Sequence, residues 1–522
     1  MARDDSLIDP EVESGEISSI LEVVPDAELD PSRPIPATHY TDLGNAERLA
    51  EQHGADLRYC SALGGWLAWD ASRWRRDEML SAQGRAHETA RSLYAEVATI
   101  AEQLSRAKGD DQKKMLSAML DAARAHAKRS ESSRSLAAML HEARAIKPIP
   151  AEQNAFDAPA TNLMLNAPNG TIDLATGILR PHRRADLITR VTGSAYDPSA
   201  LAPRFNAFLA RVQPDPEIRA FLQLWAGYCA TGLIREHLLP IWYGIGANGK
   251  STLSDSLSAV LGDYAVVCPG GFFEETKHRQ HPTEIARLKG ARLAVASETE
   301  HSAQLAEARV KDLTGGDTLT GRFMHANFFD FIPTTKFLLF TNHRPRIRST
   351  DEGIRRRLVL VPWQEQIAAD EKILGLADIL IRDEGPGILR WIVEGAVALL
   401  AQEGRLDPPA SIQLATSDYL AGEDTVGRYL DEDCTVRPPG DATIRSQPSH
   451  LHAAYTAWCA AEGEAACHAR DFAARLAARG YETHRSHGLR WILGLAPAAS
   501  QSPSRDRTGA DSEQGREESW DD

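Results

Sequence analysis

The feature that most limits what this chain can fold into is the glycine-rich octapeptide GIGANGKS at residues 244–251. The apolar run LLPIWY comes directly before it, and a helical pattern, STLSDSLSAVLG, overlaps its end. Such an apolar run is typical of a buried parallel strand. Glycines allow a tight turn in which several backbone N–H groups point at one phosphate, and the following helix adds a positive end. The segment therefore predicts a phosphate-binding loop between a strand and a helix of an α/β fold.

The side chains of this loop predict its ligand. Lys250 is placed to reach the β- and γ-phosphates of a nucleotide, and Ser251 offers a hydroxyl to Mg²⁺. The predicted cofactors are therefore ATP and Mg²⁺. The predicted nucleotide-binding residues are Gly244, Ile245, Gly246, Ala247, Asn248, Gly249, Lys250, Ser251 and Thr252.

Two later apolar runs each end in a residue suited to phosphate chemistry. RLAVAS is followed by Glu298, with Glu300 two residues on, and KFLLFT is followed by Asn342. An acid at this place can polarise water and hold Mg²⁺, and an amide can orient the attacking water or contact the γ-phosphate. A solvated strand end and a turn former are the plainer alternatives. Behind the phosphate loop we favour the catalytic interpretation of Lys250, Glu298 and Asn342, with Ser251 and Glu298 as metal ligands.

A basic cluster follows these runs. Residues 342–357 contain six arginines against Asp351 and Glu352, and three of the arginines are consecutive, at 355–357. An arginine supplied by a neighbouring subunit is a recurrent device for stabilising charge in phosphoryl transfer. A basic surface turn is the alternative, and composition alone does not separate the two.

The net charge of −15 does not exclude a nucleic-acid partner, because most of it lies at the two ends. Residues 1–33 carry a net charge of −8 and residues 501–522 carry −4, so the body between them is near neutral. Both ends have the composition of disordered segments. The sequence has no apolar run of about 18 residues, no secretory signal and no CxxC pair among its six cysteines. We therefore expect a cytoplasmic protein with reduced thiols and no membrane contact.

The segments between these ends predict several domains. Trp66, Trp69 and Trp74 end a strand-like stretch, where core packing is expected and stacking on bases is the alternative. Residues 82–107 and 111–145 predict a helical hairpin. The predicted domains are 1–36 (disordered acidic tail), 37–200 (α+β domain with the helical hairpin), 201–237 (helical connector), 238–365 (ATPase core), 366–424 (helical segment), 425–495 (winged-helix-like domain) and 496–522 (disordered tail).

The segments GIGANGKS, RLAVASETE, KDLTGGD, FLLFTNHRP and DEGIRRRLVLVP together resemble, in this order, the superfamily 3 helicases. More narrowly, they resemble the phage and plasmid primase–helicase group, which includes the poxvirus-type helicases. The upstream segments DLGNAERLAEQHGADLRYC and LMLNAPNGTIDLATG are similar to the region before the helicase in that group. The likeness spans residues 40–495. It implies an α/β fold with a P-loop AAA+-like core, an α+β N-terminal domain and a C-terminal winged-helix module.

The resemblance also implies an activity and partners. It implies an ATP-dependent DNA helicase of phage, plasmid or prophage replication, in the bacterial cytoplasm or in a phage-infected cell. Such a protein assembles as a ring homo-oligomer, expected to be a hexamer, and acts on single-stranded or forked DNA beside a separate primase or other replication proteins. By position, Asn342 is the sensor of the γ-phosphate, and Arg356 is the arginine finger, with Arg357 as the alternate. The segment GRFMHANFFDF would be a channel hairpin whose Arg322 and His325 contact DNA.

The sequence departs from the family pattern in two places. Many members have two adjacent acids where this chain has Ser297 and Glu298, so Mg²⁺ would depend on Ser251, Glu298 and water. Full-length members also carry a polymerising primase domain, which residues 1–36 cannot hold and residues 37–200 do not display. We therefore expect a helicase without primase activity.

Three other interpretations of the sequence agree less well with its motifs. A DNA-binding initiator or accessory protein could use ATP only as an assembly switch, and strand displacement on a forked substrate separates it from a helicase. A decayed prophage remnant is less consistent with an intact loop, Glu298, Asn342 and arginine set. A zinc site has no support in spacing, because the five His and Cys residues of the C-terminal region match no standard finger; they are His450, His452, Cys459, Cys467 and His468.

Overall fold

The computed structural model describes residues 40–275, 282–297, 304–324, 327–347, 352–486 and 488–498. The chain divides into two compact units that alternate along the sequence. The first comprises Met1–Ala55 and Met79–Pro150, and the second comprises Asp56–Glu78 and Ala151–Asp522. This division differs from the expectation of one domain over residues 37–200, because the strand segment 56–78 groups with the second unit. The predicted tail 1–36 and most of 496–522 lie outside the described residues.

The described residues of the first unit form four helices and the turns that follow or connect them. Its helices are α1 (Asp42–His53), α2 (Ser81–Arg106), α3 (Asp110–Ser130) and α4 (Ser133–Ala143). The predicted hairpin is therefore three helices, because the second predicted helix is interrupted at residues 131–132. Ser132 explains the break, since its side chain accepts a hydrogen bond from Ser135 N and caps the new helix. A buried hydrogen bond of 2.8 Å from Asn45 Nδ2 to Ser130 Oγ joins α1 to α3.

Two small antiparallel sheets open the second unit. The first contains β1 (Leu57–Cys60), β2 (Gly65–Trp69) and β3 (Trp74–Arg76), and the second contains β4 (Met164–Ala167), β5 (Gly170–Asp173) and β6 (Ile178–Arg180). Core packing is confirmed for Trp74, whose side chain is fully buried and donates to Arg184 O at 2.8 Å. Trp66 and Trp69 are half-buried.

The three predicted apolar runs are strands of one parallel sheet, which has five strands in all. Its strands are β7 (Leu239–Tyr243), β8 (Ala265–Val267), β9 (Leu293–Ser297), β12 (Lys336–Thr341) and β13 (Leu358–Pro362), in the order β13-β7-β12-β9-β8. The short strands β10 (Leu319–Gly321) and β11 (Phe329–Phe331) form a separate antiparallel hairpin. The carboxyl ends of β7, β9 and β12 meet at one edge, because parallel neighbours end on the same side of a sheet. The fold is thus a mixed α/β fold with a parallel sheet.

Helices cover both faces of this sheet, and alternate strand residues enter two apolar clusters. The longer helices are α5 (Pro203–Val212), α6 (Pro216–Ala230), α7 (Lys250–Leu261), α11 (Leu376–Ala401) and α12 (Ala410–Gly422); α8 (Pro282–Ala286), α9 (Glu307–Thr314) and α10 (Glu352–Arg355) are short. Helices α6 and α11 approach closely at two glycines. A Cβ at Gly227 would lie 2.1 Å from Ala396 N, and one at Gly395 would lie 2.2 Å from Gln223 O. Larger residues at either position would separate the helices.

The C-terminal part of the second unit has its own apolar cluster. It contains α13 (Thr425–Asp433), β14 (Cys434–Val436), β15 (Arg445–Ser446), α14 (Pro448–Glu462), α15 (Ala469–Ala478), β16 (Thr483–Ser486), β17 (Leu489–Leu493) and β18 (Leu495–Pro497). In this part the helices α14 and α15 are followed by the strands β16, β17 and β18. Among the described residues, no helix has the length and apolar content required to cross a bilayer.

Candidate functional site

The loop after β7 has the backbone that its glycines predict. Gly249 is in the left-handed region, with φ of 83°, and a Cβ there would lie 2.7 Å from Val212 Cγ1. A Cβ at Gly244 would lie 2.1 Å from Trp363 O. Around Gly246, by contrast, a Cβ would meet no described atom within 4 Å. Two glycines are therefore required by contacts within the protein, and the third lies where the loop is open.

Lys250 is the first residue of α7, and it is a buried cation with only 4 % of its surface exposed. Its Nζ donates to Gly244 O at 2.5 Å, to Asn248 Oδ1 at 3.1 Å and to Asn342 Oδ1 at 3.4 Å. Burial lowers the pKa of this amine from 10.5 to about 8. All three hydrogen-bond acceptors are neutral oxygens, so the ammonium charge has no anionic partner among them.

The two amides that contact Lys250 come from different elements. Asn342 follows β12, which pairs with β7 through Leu339 and Ile241, so the sheet itself places the asparagine beside the loop. Asn248 is buried, and its Nδ2 donates to Trp363 O at 3.2 Å. Sequence reasoning identified Asn248 as a loop residue but gave no sign that it links the loop to the segment after β13.

These groups line a cavity of about 950 Å³ at the carboxyl edge of the sheet. That volume lies within the range of small-molecule sites. The predicted residues that line it are Gly246, Ala247, Asn248, Gly249, Lys250, Ser251, Thr252 and Asn342. Gly244 contributes its carbonyl to Lys250 instead, and the Ile245 side chain is exposed outside the lining.

Two walls of the cavity come from segments that the sequence did not single out. One is α5, and the other is the segment after β13, whose Ile367 N donates to Ala247 O at 2.8 Å. The lining residues from these walls are Arg204, Ala207, Phe208, Arg211, Val212, Ile367, Glu371, Lys372, Ile373 and Leu376. The apolar periodicity of α5 predicts a buried face, but nothing in the sequence indicates what that face meets.

Arg211 joins the two walls. Its guanidinium donates to Glu365 Oε2 at 3.1 Å, to Gln366 O at 2.9 Å and to Glu371 Oε2 at 2.8 Å. The ion pairs are about half exposed, so each contributes little stability by itself. Their effect is on position, because they hold the segment 365–371 against α5.

The predicted acids Glu298 and Glu300 lie outside the described residues. Ser297 ends β9 and lines the cavity, and its backbone is paired with Phe340 of β12. Ser251 lines the same cavity. No group of three or more His, Cys, Asp or Glu side chains that could hold a metal is found in the described ranges, which do not include 298–303.

The three consecutive arginines differ in environment. Arg357 is 9 % exposed, and its guanidinium donates to Thr314 Oγ1 at 3.1 Å and to Gly353 O at 2.6 Å. Arg355 and Arg356 are exposed at the end of α10. None of the three lines the cavity. The alternate assignment of the finger to Arg357 is therefore not supported, because its side chain is buried and two of its three guanidinium nitrogens donate inside its own subunit.

The expected hairpin over 321–331 is present as β10 and β11, with Gly321 opposite Phe329. Arg322 lies 4.7 Å over the ring of Phe328, and Phe323 stacks on Phe329 with ring centroids 5.5 Å apart. Phe328 is 59 % exposed. His325 lies outside the described residues. The exposed aromatic side chains were not identified from the sequence as part of this surface.

Two known families match the chain. The family described as "D5 N terminal like" matches residues 46–214, and the "Family of unknown function (DUF5906)" matches residues 242–357. The second match spans the loop, β7 to β12 and the arginine cluster. The two matches together cover the first unit from α1 onward and most of the parallel sheet.

The curated relatives come from large DNA viruses. A protein named "Putative helicase" from Acanthamoeba polyphaga mimivirus is 31% identical over 208 residues, 39% of this chain and 22% of the relative. Another of the same name from Invertebrate iridescent virus 6 is 26% identical over 317 residues, 53% of this chain and 32% of the relative. One named "Putative primase" from African swine fever virus is 28% identical over 206 residues, 37% and 21% of the two chains. This chain thus spans a third or less of each relative.

Among solved structures, the apo C-terminal region of NrS-1 aligns at 11% identity with a TM-score of 0.40. The alignment covers 70% of this chain and 90% of that one.

Proposed function

Because this chain belongs to the primase–helicase family of phages and large DNA viruses, we propose that it is an ATP-dependent DNA helicase of the superfamily 3 type. In this proposal it hydrolyses ATP at the interfaces of a ring of subunits and moves along single-stranded DNA during phage, plasmid or prophage replication. The observation that carries the proposal is the environment of Lys250. This buried cation follows the glycine loop, lines a large cavity and has no anionic partner among its hydrogen-bond acceptors.

The site fits a nucleoside triphosphate. A phosphate chain along the loop would give Lys250 the negative charge that it lacks, and the N-terminus of α7 would add its dipole. The open space at Gly246 leaves the backbone accessible to such a ligand. The apolar residues of α5 and of the segment after β13 offer a surface for the base and sugar.

The metal assignment is part of the proposal. Ser251, at the second position of α7, would hold Mg²⁺ together with Glu298. When bound, the ion would neutralise charge on the β- and γ-phosphate oxygens. Asn342 hydrogen-bonds to Lys250, so it would orient the attacking water while keeping the amine aimed at the γ-phosphate.

The assembly is proposed from the arginines and the hairpin. Arg356 is exposed and outside the cavity of its own chain, as a finger for a neighbour's ATP must be. The β10–β11 hairpin would contact single-stranded DNA through Arg322. In this scheme residues 238–365 are the P-loop ATPase core, and residues 425–495 are the winged-helix module.

The test is Lys250→Ala, with Lys113→Ala on the exposed surface of α3 as a control that removes the same charge. We expect ATP hydrolysis by the first variant to fall at least about 100-fold, with an unchanged melting temperature, and the control to keep full activity. Strand displacement on a forked substrate should be lost in parallel. A folded Lys250→Ala protein with parental ATPase activity would contradict the proposal. ATP-dependent oligomerisation of the parent without any strand displacement would instead favour the assembly-switch initiator.

A further inference from the structure

The β16–β17 hairpin holds a pair of like charges in direct opposition. In the antiparallel register Arg485 lies opposite Arg490, and both side chains are exposed. Side chains that face each other across two strands have Cβ atoms about 5 Å apart, so two arginines repel each other there. An anion that binds between the two guanidinium groups would remove this repulsion.

The opposite face of this sheet carries a third arginine. His484 lies opposite Trp491, and the guanidinium of Arg445, on the neighbouring strand β15, lies 4.6 Å over the Trp491 ring. Arg445 and His484 are exposed, and Trp491 is half-buried. Because side chains alternate along a strand, these groups point to the side opposite Arg485 and Arg490.

The two strands of the hairpin carry positive charge and no acid. Residues 483–493 contain no Asp or Glu, and Glu482, which directly precedes β16, is the nearest acid in the sequence. Elsewhere in the C-terminal part, two arginines are paired with acids: Arg428 lies 3.0 Å from Glu464 Oε1, and Arg479 contacts Asp424. These two arginines are neutralised by acids, whereas the hairpin places two arginines opposite each other with no acid in either strand.

The hairpin is also held firmly. Ile492 is buried in the apolar cluster of the C-terminal part, and Leu495 beyond it is buried as well. Ser446 of β15 is buried opposite Ile492. The arginines are thus presented from a packed three-stranded sheet, so the backbone that carries them is already ordered before binding.

We propose that this hairpin enters a groove of double-stranded DNA and contacts the two phosphate backbones that border the groove. Arg485 and Arg490 meet one backbone, and Arg445 and His484 meet the other. A single strand or one acidic patch would occupy only one cationic face, whereas a duplex groove presents phosphates on both sides of an inserted ribbon. The major groove, about 12 Å wide, admits a two-stranded β-ribbon. This surface is independent of the nucleotide site, so it stands or falls apart from the proposed ATPase activity.

The experiment compares Arg485→Ala/Arg490→Ala with Arg382→Ala/Arg405→Ala in the full chain. The control removes two arginines whose side chains are 70% and 72% exposed outside the C-terminal part. Binding to a blunt duplex of about 20 base pairs and to oligo-dT of the same length is measured by fluorescence anisotropy, without nucleotide, across a salt series. We expect the hairpin variant to bind duplex about tenfold more weakly, with a log–log salt slope smaller by about two. Its affinity for oligo-dT should stay within about twofold of the parent.

Two outcomes overturn the proposal. One is a hairpin variant with the parental melting temperature, duplex affinity and salt slope. The other is an equal loss on duplex and on oligo-dT, which would indicate single-strand contact. The variant Arg485→Lys/Arg490→Lys guards against a folding artefact, because it keeps both charges. It should retain the parental salt slope. A smaller salt slope in this variant would also contradict phosphate contact.

Discussion

The two edges of the central sheet hold buried cations in opposite circumstances. At the amino edge, Arg292 precedes β9 and Lys336 begins β12; both are about 5 % exposed and donate only to backbone carbonyls. At the carboxyl edge, Lys250 is equally buried, but two of its three acceptors are side-chain amides and it opens on a cavity. One edge is closed around its cations, and the other is open beside its lysine.

This difference shows which property marks a candidate site. Burial lowers the pKa of Lys336 to about 7 and that of Lys250 to about 8, so the amine with the lower pKa is the one at the closed edge. A shifted pKa alone would select the wrong lysine. The cavity beside Lys250 and the side-chain amides that contact its amine are what suit a ligand. Cations of the closed edge are expected to stabilise the fold, and those of the open edge are expected to support activity.

The largest expected effect separates two adjacent arginines at the amino edge, one buried and one exposed. Arg357 is held by Thr314 and Gly353 just before β13, at the closed edge, while Arg356 is exposed. We expect Arg356→Ala to lower the ATPase rate of the assembled protein about 1000-fold without changing the free energy of unfolding. Arg357→Ala should instead lower the free energy of unfolding by about 2 kcal/mol, because Thr314 and Gly353 lose a buried donor.

Steady-state ATPase assays and urea unfolding measure the two quantities, and Arg355→Ala is the matched exposed control. If ATPase activity is lost in the Arg355 variant and kept in the Arg356 variant, the arginine finger is Arg355. Loss of ATPase in the Arg357 variant alone, with unchanged stability, would contradict the assignment of a structural role to the buried arginine.

The next effect tests the closed edge directly. Arg292 donates to Thr161 O at 3.0 Å and Met164 O at 2.7 Å, and also to Ala230 O. Arg292→Met would leave three buried carbonyls without this donor, so we expect the free energy of unfolding to fall by about 3 kcal/mol. Urea denaturation with Arg287→Met as the exposed control measures it. A loss below about 1 kcal/mol would mean that the closed edge does not depend on its cations.

The smallest effect is a pH dependence of nucleotide binding at the open edge. The pKa of Lys250 is about 8 in the free protein, and a bound phosphate would raise it. Below pH 8 the amine is charged in both states and affinity is constant. Above pH 8 binding must take up a proton, so the dissociation constant should rise by up to about tenfold per pH unit. Titration with a fluorescent ATP analogue at pH 7, 8 and 9 tests this, and Lys250→Arg, which stays charged, should show no such rise.

The sequence was most informative where structure depends on neighbouring residues. The strands β7, β9 and β12 and the loop at Gly249 follow from apolar runs and a glycine pattern, and the parallel sheet then brings Asn342 to Lys250. It was least informative where distant segments meet. The roles of three consecutive arginines could not be distinguished from the sequence. Arg357 is buried because it contacts Thr314, which lies on another element.

The walls of the cavity show the same limit. The contact between α5 and the segment after β13 joins residues separated by about 150 positions, as in the pair Arg211 and Glu365. No local periodicity carries that information. The local pattern also does not indicate that the segment 56–78 belongs to the second unit, because it predicts only a strand region followed by helices.

The alternation of the two units along the chain has a consequence for synthesis. When the ribosome has added Glu78, the emerging polypeptide holds parts of both units and all of neither. Helix α1 cannot gain its hydrogen bond from Asn45 to Ser130 until α3 has appeared, and Trp74 lacks its partner until Arg184 is made. The early segments therefore cannot complete their packing until residues about 85 to 110 positions downstream have been synthesised. Translation speed over residues 79–190 should govern how much of this protein reaches the native state.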